Sequence, residues 1–191
     1  SIVIWQGHGV YWKWFGSILG TTETFNMRYF FDFINGRVAI TNGLKMAVTS
    51  KFFDKYLHKN TNENTLIYLG NCESGKDPQG RLVDALLTKG FDCVVANSDS
   101  IDRSYNLDMM KAFFEGMSAG TGEFLTAQEA LDNAKLIYGN YDPSPDGYQA
   151  VPVLYGVTTL RFVADDSQPS FASNSNASAG NATAGNPVTA E

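Results

Sequence analysis

The chain has 191 residues, which is enough for one domain with a substantial core and too few for two full domains. Hydrophobic residues make up 43% of it, which predicts a packed globular body, and the formal net charge is −6. The sequence has no basic run, which argues against nucleic acid or an anionic membrane as the main partner. No apolar stretch approaches the roughly 20 residues that span a bilayer.

The first residues, Ser-Ile-Val-Ile, already read as a strand, without an initiating Met or a signal-peptide pattern. We therefore expect the chain to be a piece of a longer polypeptide. The preceding part of that polypeptide is then an expected partner.

Four segments have the pattern of β-strands. The runs at 2–6 and 66–70 are short, nearly continuous in apolar residues and stopped by glycine, which is typical of parallel strands buried on both faces. Segments 92–97 and 152–163 predict two or three more strands.

Helical spacing of apolar side chains separates these strands. It predicts helices over 50–58, 79–89, 105–117 and 126–138. Asp77-Pro78 suits a cap and a first-turn proline for the second helix, and Thr126 with Glu129 forms a capping box for the fourth. The alternation of strands and helices predicts an α/β layered fold with a mostly parallel sheet.

Two segments depart from this alternation. Residues 10–48 are rich in Gly, Thr and aromatic residues, and we interpret them as an insertion of hairpins or loops over the sheet. Residues 167–191 consist mainly of Ser, Asn, Ala, Gly and Thr, which predicts a flexible tail or linker. The predicted domain is therefore 1–166.

The two cysteines have different settings. Cys93 lies within the apolar run at 92–97, where a cysteine acts as a small buried hydrophobe. Cys72 follows the run at 66–70 among small and polar residues, where a thiol is accessible. A single pair gives neither a disulfide framework nor a zinc site.

Chemistry-bearing residues follow two of the predicted strands. His8 comes directly after strand 2–6, in Gly7-His8-Gly9, and Cys72 follows strand 66–70, in Asn71-Cys72-Glu73. The carboxyl ends of parallel strands meet at one edge of a sheet, so neighbouring strands would bring imidazole and thiol into one cleft. A histidine can accept the thiol proton, and the thiolate is then a nucleophile.

At these residues the chain resembles the caspase-like superfamily of cysteine peptidases, which includes caspases, metacaspases, legumain, separase, clostripain, gingipains and CHAT domains. The stretch from Val153 to Phe162 is similar to the closing strand pair of the gingipain-like and CHAT-like members. There a Gly is usually followed by Asp-Pro, whereas this chain has Val157-Thr158 after Gly156.

The resemblance implies a fold and a mechanism. The expected fold is a three-layer α/β/α domain with a mostly parallel sheet, lacking the first two strands of the family fold. The expected activity is that of a cysteine endopeptidase with His8 as general acid and base and Cys72 as nucleophile. The backbone amides of Gly9 and Cys72 would form the oxyanion hole.

The resemblance also indicates where the residue before the scissile bond would bind. That pocket lies near the cysteine strand and the next strand, which points to Gly70, Asn71, Asn97 and Asp99. Several members that cut after Arg or Lys have an Asp two positions before the cysteine, where this chain has Gly70. We expect a preference for Arg or Lys with Asp99 as its anchor. The alternative is a small neutral pocket formed by Gly70 and Asn97.

Two other functions remain open at this point. One is a catalytically silent interaction module with the same fold, and the other is an acyl transferase that uses the same dyad. The sequence has no metal-ligand cluster and no phosphate-binding loop, so we expect no cofactor and no metal. The composition of the tail and the small number of cysteines favour a secreted or surface protein of a bacterium.

Overall fold

The computed structural model describes residues 1–59, 62–118, 124–144 and 149–162. The predicted tail at 167–191 lies outside these residues. The strands are β1 (Ile2–Gly7), β2 (Gly9–Trp12), β3 (Gly16–Thr24), β4 (Val38–Ile40), β5 (Lys45–Val48), β6 (Leu66–Asn71), β7 (Cys93–Asn97) and β8 (Pro152–Gly156). The helices are α1 (Phe30–Ile34), α2 (Ser50–Tyr56), α3 (Arg81–Thr88), α4 (Arg103–Met117) and α5 (Ala127–Tyr138).

The central sheet has the strand order β1-β6-β7-β8. The first three strands are parallel, and β8 is antiparallel to β7. The predicted α/β class with a mostly parallel sheet is therefore confirmed.

Side-chain alternation along β6 and β7 separates two cores. Leu66, Tyr68 and Val95 point to one face, where α4 and α5 cover them. Ile67, Leu69 and their β7 neighbours point to the other face, where α2 and α3 pack together with residues of β3 and β5. The sheet thus lies between two helical layers, and β6 and β7 are buried on both faces, as their continuous apolar runs predict.

The segment predicted as an insertion of hairpins forms a second sheet. Its strands are antiparallel in the order β2-β3-β5-β4, and the short helix α1 lies between β3 and β4. A small core centred on Ile18, Ala39 and Ala47 holds this sheet together. Leu19 of β3 and Val48 of β5 also join the core beneath the central sheet, so the second sheet is packed against it.

The end of α2 and the start of α4 each differ by two residues from the predicted bounds, and two further boundaries are wrong for identifiable structural reasons. Helix α3 starts at Arg81 rather than at 79, because Gly80 has a φ of +64° and Pro78 lies in the preceding turn. The carboxylate of Asp77 accepts hydrogen bonds from the backbone N–H groups of Gln79 and Arg81, so it organises this turn.

The predicted closing strand pair is the second wrong boundary. Only Pro152–Gly156 is a strand, and residues 157–162 have no strand structure. The reason lies in their hydrogen bonds, since the carbonyls of Thr158 and Leu160 accept from the backbone N–H groups of Gln128 and Ala127. These residues therefore bind the first turn of α5, which the predicted capping box of Thr126 and Glu129 also stabilises.

Strand β1 is an edge of the central sheet among the described residues. Its apolar side chains are exposed on both faces, with Ile2 at 47%, Val3 at 39% and Ile4 at 49% of their full accessibility. In the described part of the chain, no helix is long and apolar enough to cross a membrane.

Candidate active site

The parallel pairing of β1 with β6 brings His8 next to Cys72. Gln6 is paired with Gly70 and Gly7 with Asn71, and His8 and Cys72 are the residues that directly follow this last pair. Neighbouring strands lie about 4.8 Å apart, which puts both residues at the same point of the sheet edge. The prediction that these two strands are adjacent in the sheet is confirmed.

Both side chains line one cavity of about 440 Å³. His8 is exposed, and Cys72 is partly buried with a free thiol. The Sγ atom of Cys72 lies 3.6 Å from the carbonyl oxygen of Ile101, to which the thiol donates. The cavity therefore offers a reachable thiol and an imidazole beside it, on the side of the sheet where α4 begins.

Gly9 lies against the backbone of Cys72. A Cβ atom at position 9 would overlap the carbonyl oxygen of Cys72 and would lie 2.9 Å from Cβ of Asn71. No other residue fits there unless the cysteine loop moves. This close approach gives a physical reason for the second glycine of the Gly7-His8-Gly9 motif.

The N–H group of Gly9 points away from β3. Gly9 faces Leu19 in the antiparallel ladder, and the N–H of Gly20 donates to the carbonyl of His8 at 2.7 Å. That bond makes Gly9 and Leu19 a non-hydrogen-bonded pair, in which both N–H groups point outward from the two-stranded ladder. The Gly9 amide is therefore not used in the ladder with β3.

The loop after Cys72 is held in an unusual conformation. Glu73 has a φ of +53°, which costs roughly 1–2 kcal/mol for a residue with a side chain. Its backbone N–H donates to the carbonyl of Asp99 at 2.9 Å, and its carbonyl accepts from the hydroxyl of Ser17 at 2.6 Å. These bonds fix the backbone of Cys72 between β7 and the second sheet.

An ion-pair cluster stabilises the same loop. The ammonium of Lys76 lies 2.7 Å from carboxylate oxygens of both Glu73 and Asp99, and the Glu73 carboxylate also accepts from the N–H of Tyr11 at 2.6 Å. Donation to Asp99 and, to a smaller extent, to Glu73 raises the pKa of Lys76. Burial is the largest single influence on Asp99 and would raise its pKa, but the hydrogen bonds from Lys76 and from the Ser100 N–H, together with the Lys76 charge, outweigh it and the pKa is lowered.

Sequence reasoning missed the role of Glu73 and Lys76. A charged residue in a loop, such as Glu73, is more often solvated than part of a site, and the only signal available was the spacing of three residues between Glu73 and Lys76 beside a candidate nucleophile. The sequence also gave no reason to place Arg103 in the site. Arg103 begins α4, and its side chain lines the cavity that holds Cys72.

The residues predicted to bind substrate are divided by the structure. Gly70 lines the cavity, but Asn71, Asn97 and Asp99 are not among the described residues that do so. Asn71 is buried and donates to the carbonyl of His8 at 3.2 Å. Asn97 is buried and donates to the carbonyls of β6, so both amides connect the strand ends to one another.

Gly70 leaves room for two polar side chains of the cavity wall. A Cβ atom at this position would lie 2.9 Å from Nδ2 of Asn106 and from Cγ of Gln6. Asn106 donates to the Gly70 carbonyl at 3.1 Å, and Gln6 donates to the sulfur of Met110 at 3.0 Å. The wall beside Cys72 is therefore polar and sterically tight.

Other candidate nucleophiles and bases are placed elsewhere. Cys93 is fully buried in β7, and burial, with a smaller contribution from Asp92, raises the pKa of its thiol to about 12. Ser74 is buried, and its hydroxyl donates to backbone carbonyls of β6. His58 is exposed beyond the end of α2.

Within the described ranges, no three His, Cys, Asp or Glu side chains come close enough to hold a metal ion. Comparison of the chain with protein-family models, with curated proteins and with solved structures found no match.

Proposed function

We propose that this protein is a cysteine endopeptidase in which Cys72 is the nucleophile and His8 is the general acid and base. The observation that carries the proposal is the shared cavity, in which an accessible thiol and an imidazole follow adjacent parallel strands. The motifs around both residues resemble those of the caspase-like superfamily, which supports the same assignment.

The first half of the reaction forms an acyl-enzyme. The Cys72 thiolate attacks the carbonyl carbon of the scissile amide after the thiol proton has moved to His8. The carbonyl oxygen becomes an oxyanion, which the backbone amides of Gly9 and Cys72 stabilise. The C–N bond then breaks, His8 donates its proton to the leaving amine, and the acyl group remains on Cys72 as a thioester.

The second half releases the acid. Water attacks the thioester carbonyl and gives a proton to His8, and the C–S bond breaks. The product carboxylic acid leaves, and the thiol and imidazole return to their starting state. The hydrogen bonds and ion pairs of the loop around Glu73 support both halves, because they hold the backbone next to Cys72, whose amide is the second proposed donor to the oxyanion.

The test is digestion of a complex peptide mixture, with new N-termini identified by mass spectrometry. We expect no cleavage by Cys72→Ala, and a fall in kcat/KM of about 10²–10⁴-fold for His8→Gln, since this is the usual contribution of general acid–base catalysis. The chain offers matched controls, because it has two cysteines and two histidines. Cys93→Ala and His58→Gln should retain cleavage, and their unfolding midpoints report whether they are folded.

The other functions predict different results. A silent interaction module would cleave nothing and would leave Cys72 unlabelled by a thiol-reactive peptidyl probe. An acyl transferase would pass the thioester to an added amine in preference to water, which product analysis detects. Full cleavage by Cys72→Ala would refute the peptidase mechanism.

A further inference from the structure

A second cavity also borders His8. Its volume is about 570 Å³, and the second sheet forms most of its wall. His8 and Gly9 line this cavity, whereas Cys72 lines only the first one. His8 therefore stands between two cavities, of which one contains the nucleophile.

If a peptide substrate lies across both cavities, the proposed chemistry determines which cavity holds the residue before the scissile bond and which holds the residue after it. Cys72 bonds to the carbonyl carbon of the residue before the scissile bond, so that residue lies beside Cys72 in the first cavity. His8 gives its proton to the amine of the residue after the bond, so that residue lies on the side of His8 away from Cys72. The second cavity, which His8 lines and Cys72 does not, fits that position.

The floor of the second cavity is apolar. Ile18 and Ala47 are almost completely buried, and the partly buried side chains of Val10 and Trp12 pack against them. Among the described residues that line this cavity, none carries a carboxylate. A volume of several hundred Å³ with an apolar floor is suited to a bulky apolar side chain.

Three polar groups at the rim have partners within the protein. The ammonium of Lys45 donates to the carbonyl of Thr22 at 3.0 Å, which directs it onto β3. The hydroxyl of Thr41 donates to the carbonyl of Lys45 at 3.0 Å, and the hydroxyl of Thr21 donates to the carbonyl of Met46 at the same distance. These bonds occupy both hydroxyl protons and direct the ammonium onto β3, which favours contact of an entering side chain with the apolar floor over contact with these three groups.

The absence of a side chain at Gly20 leaves space between His8 and this cavity. A Cβ atom on Gly20 would lie 3.0 Å from the carbonyl oxygen and 3.3 Å from the Cβ atom of His8. A side chain there would displace His8 and would occupy the entrance to the cavity, which Gly20 lines. The second sheet thus approaches the dyad without blocking it.

We propose that the second cavity binds the side chain of the residue that follows the scissile bond and selects a large apolar side chain, such as Leu, Phe, Met or Trp. This inference rests on the proposed peptidase function and extends it to the leaving side of the substrate. It assigns to the segment at 10–48 a role in substrate selection.

The experiment uses peptides that differ only in the residue after one cleavage site. We expect kcat/KM to be roughly tenfold higher for Phe or Leu than for Gly or Asp, since an apolar pocket discriminates by about this factor. The rate of thioester hydrolysis should be the same for all, because each peptide leaves the same acyl group on Cys72. A burst assay separates these two steps.

Two variants reduce the volume of the cavity from its rim. Thr21→Trp and Asn42→Trp should each abolish the preference for Phe and Leu. Thr22→Trp is the matched control, because Thr22 is exposed on β3 next to Thr21 and is not among the residues that line the cavity. It should retain the preference, and unfolding midpoints of all three variants report on their folding.

A peptide anilide, whose leaving group has no amino-acid side chain, distinguishes the two possible failures. If neither the anilide nor any peptide is cleaved, the proposed function fails and the inference fails with it. If the anilide is cleaved but the residue after the bond has no influence, the inference alone is wrong. A preference for Asp or Glu there, or one that persists in both tryptophan variants, would also overturn it.

Discussion

At the scale of single residues, Cys72 and Cys93 differ in accessibility. Cys93 is fully buried, and burial raises the pKa of its thiol to about 12. We predict that brief alkylation of the native protein with iodoacetamide at about pH 8 modifies Cys72 alone, because the thiolate is the reactive form and must be reachable. Peptide mapping checks this. Equal labelling of both residues, or a Cys72–Cys93 disulfide, would contradict it.

Arg103 determines the charge of the cavity that holds Cys72. It is exposed at the start of α4, and among the six ion pairs of the described residues none includes it. The neighbouring Asp102 carboxylate is engaged by the N–H groups of Ser104 and Tyr105. The carboxylate of Asp99 is bound by Lys76. A guest side chain therefore meets a cation rather than a carboxylate.

We predict that peptides with Asp or Glu before the scissile bond are cleaved with a higher kcat/KM than peptides with Arg or Lys there. Arg103→Gln should lower kcat/KM for the acidic peptides by about tenfold or more, since a charge-assisted hydrogen bond contributes about 1.5–3 kcal/mol. Lys111→Gln, further along α4, is the control. The expectation from sequence, in which Asp99 anchors Arg or Lys, predicts instead that the basic peptides are cleaved faster. It would be supported if Asp99→Ala abolished a measured preference for basic residues.

At the scale of elements, the turn before α3 joins the two sheets through one ion pair. The Asp77 carboxylate, 2% exposed, lies 2.8 Å from Nε of Arg81. The Arg81 guanidinium also donates to the carbonyls of Trp14 and Lys13, next to β3. Burial alone would raise the pKa of Asp77, but the hydrogen bonds from Arg81 and the backbone outweigh it and the pKa is lowered.

This lowered pKa predicts a pH-dependent stability. The folded-state pKa lies below the unfolded value of about 4, so the contribution is complete above about pH 4 and is lost as the pH falls through the folded pKa. Asp77→Asn should reduce the free energy of unfolding by about 1–3 kcal/mol at about pH 7, and by less at about pH 3. Urea unfolding measures both. Exposed Asp132→Asn is the control, and an equal loss at both pH values would argue against this ion pair.

Most of the elements could be predicted from sequence because their patterns are local. Continuous apolar runs marked β1, β6 and β7, and the capping box marked the start of α5. The second sheet was predicted only as hairpins, since its pairing depends on contacts between β3 and β5 that no local pattern encodes. Residues 157–162 were misread for a related reason, because their carbonyls bond to α5 rather than to a strand.

The candidate dyad could be predicted because both residues follow strands, whereas its surroundings could not. Strand ends indicate position along the sheet, which is sufficient to bring His8 and Cys72 together. The partners of Asp99 and the contribution of Arg103 depend on how loops and the start of α4 pack over that edge. Such packing joins residues that are distant in sequence, and local sequence patterns therefore do not predict it.

At the scale of the whole molecule, the edge strand β1 exposes both apolar side chains and unpaired backbone groups. Its run of apolar residues resembles those of β6 and β7, yet both faces of β1 remain exposed and one edge lacks a partner strand among the described residues. An apolar groove of about 860 Å³ lies beside it, lined by Ile2 and by Met110 and Phe114 of α4. We expect a further strand to pair with β1.

In the isolated chain, the available strand of matching character is β1 of a second copy. We therefore predict concentration-dependent association through this edge, because an unpaired apolar strand is a template for pairing. Ile4→Lys should shift the protein to the monomer, since a lysine on an edge strand opposes such pairing. Leu136→Lys on α5, where the leucine is 83% exposed, should associate like the unaltered protein. Sedimentation velocity over a concentration series measures this, and an unaltered chain that stays monomeric throughout would show that β1 does not pair with itself.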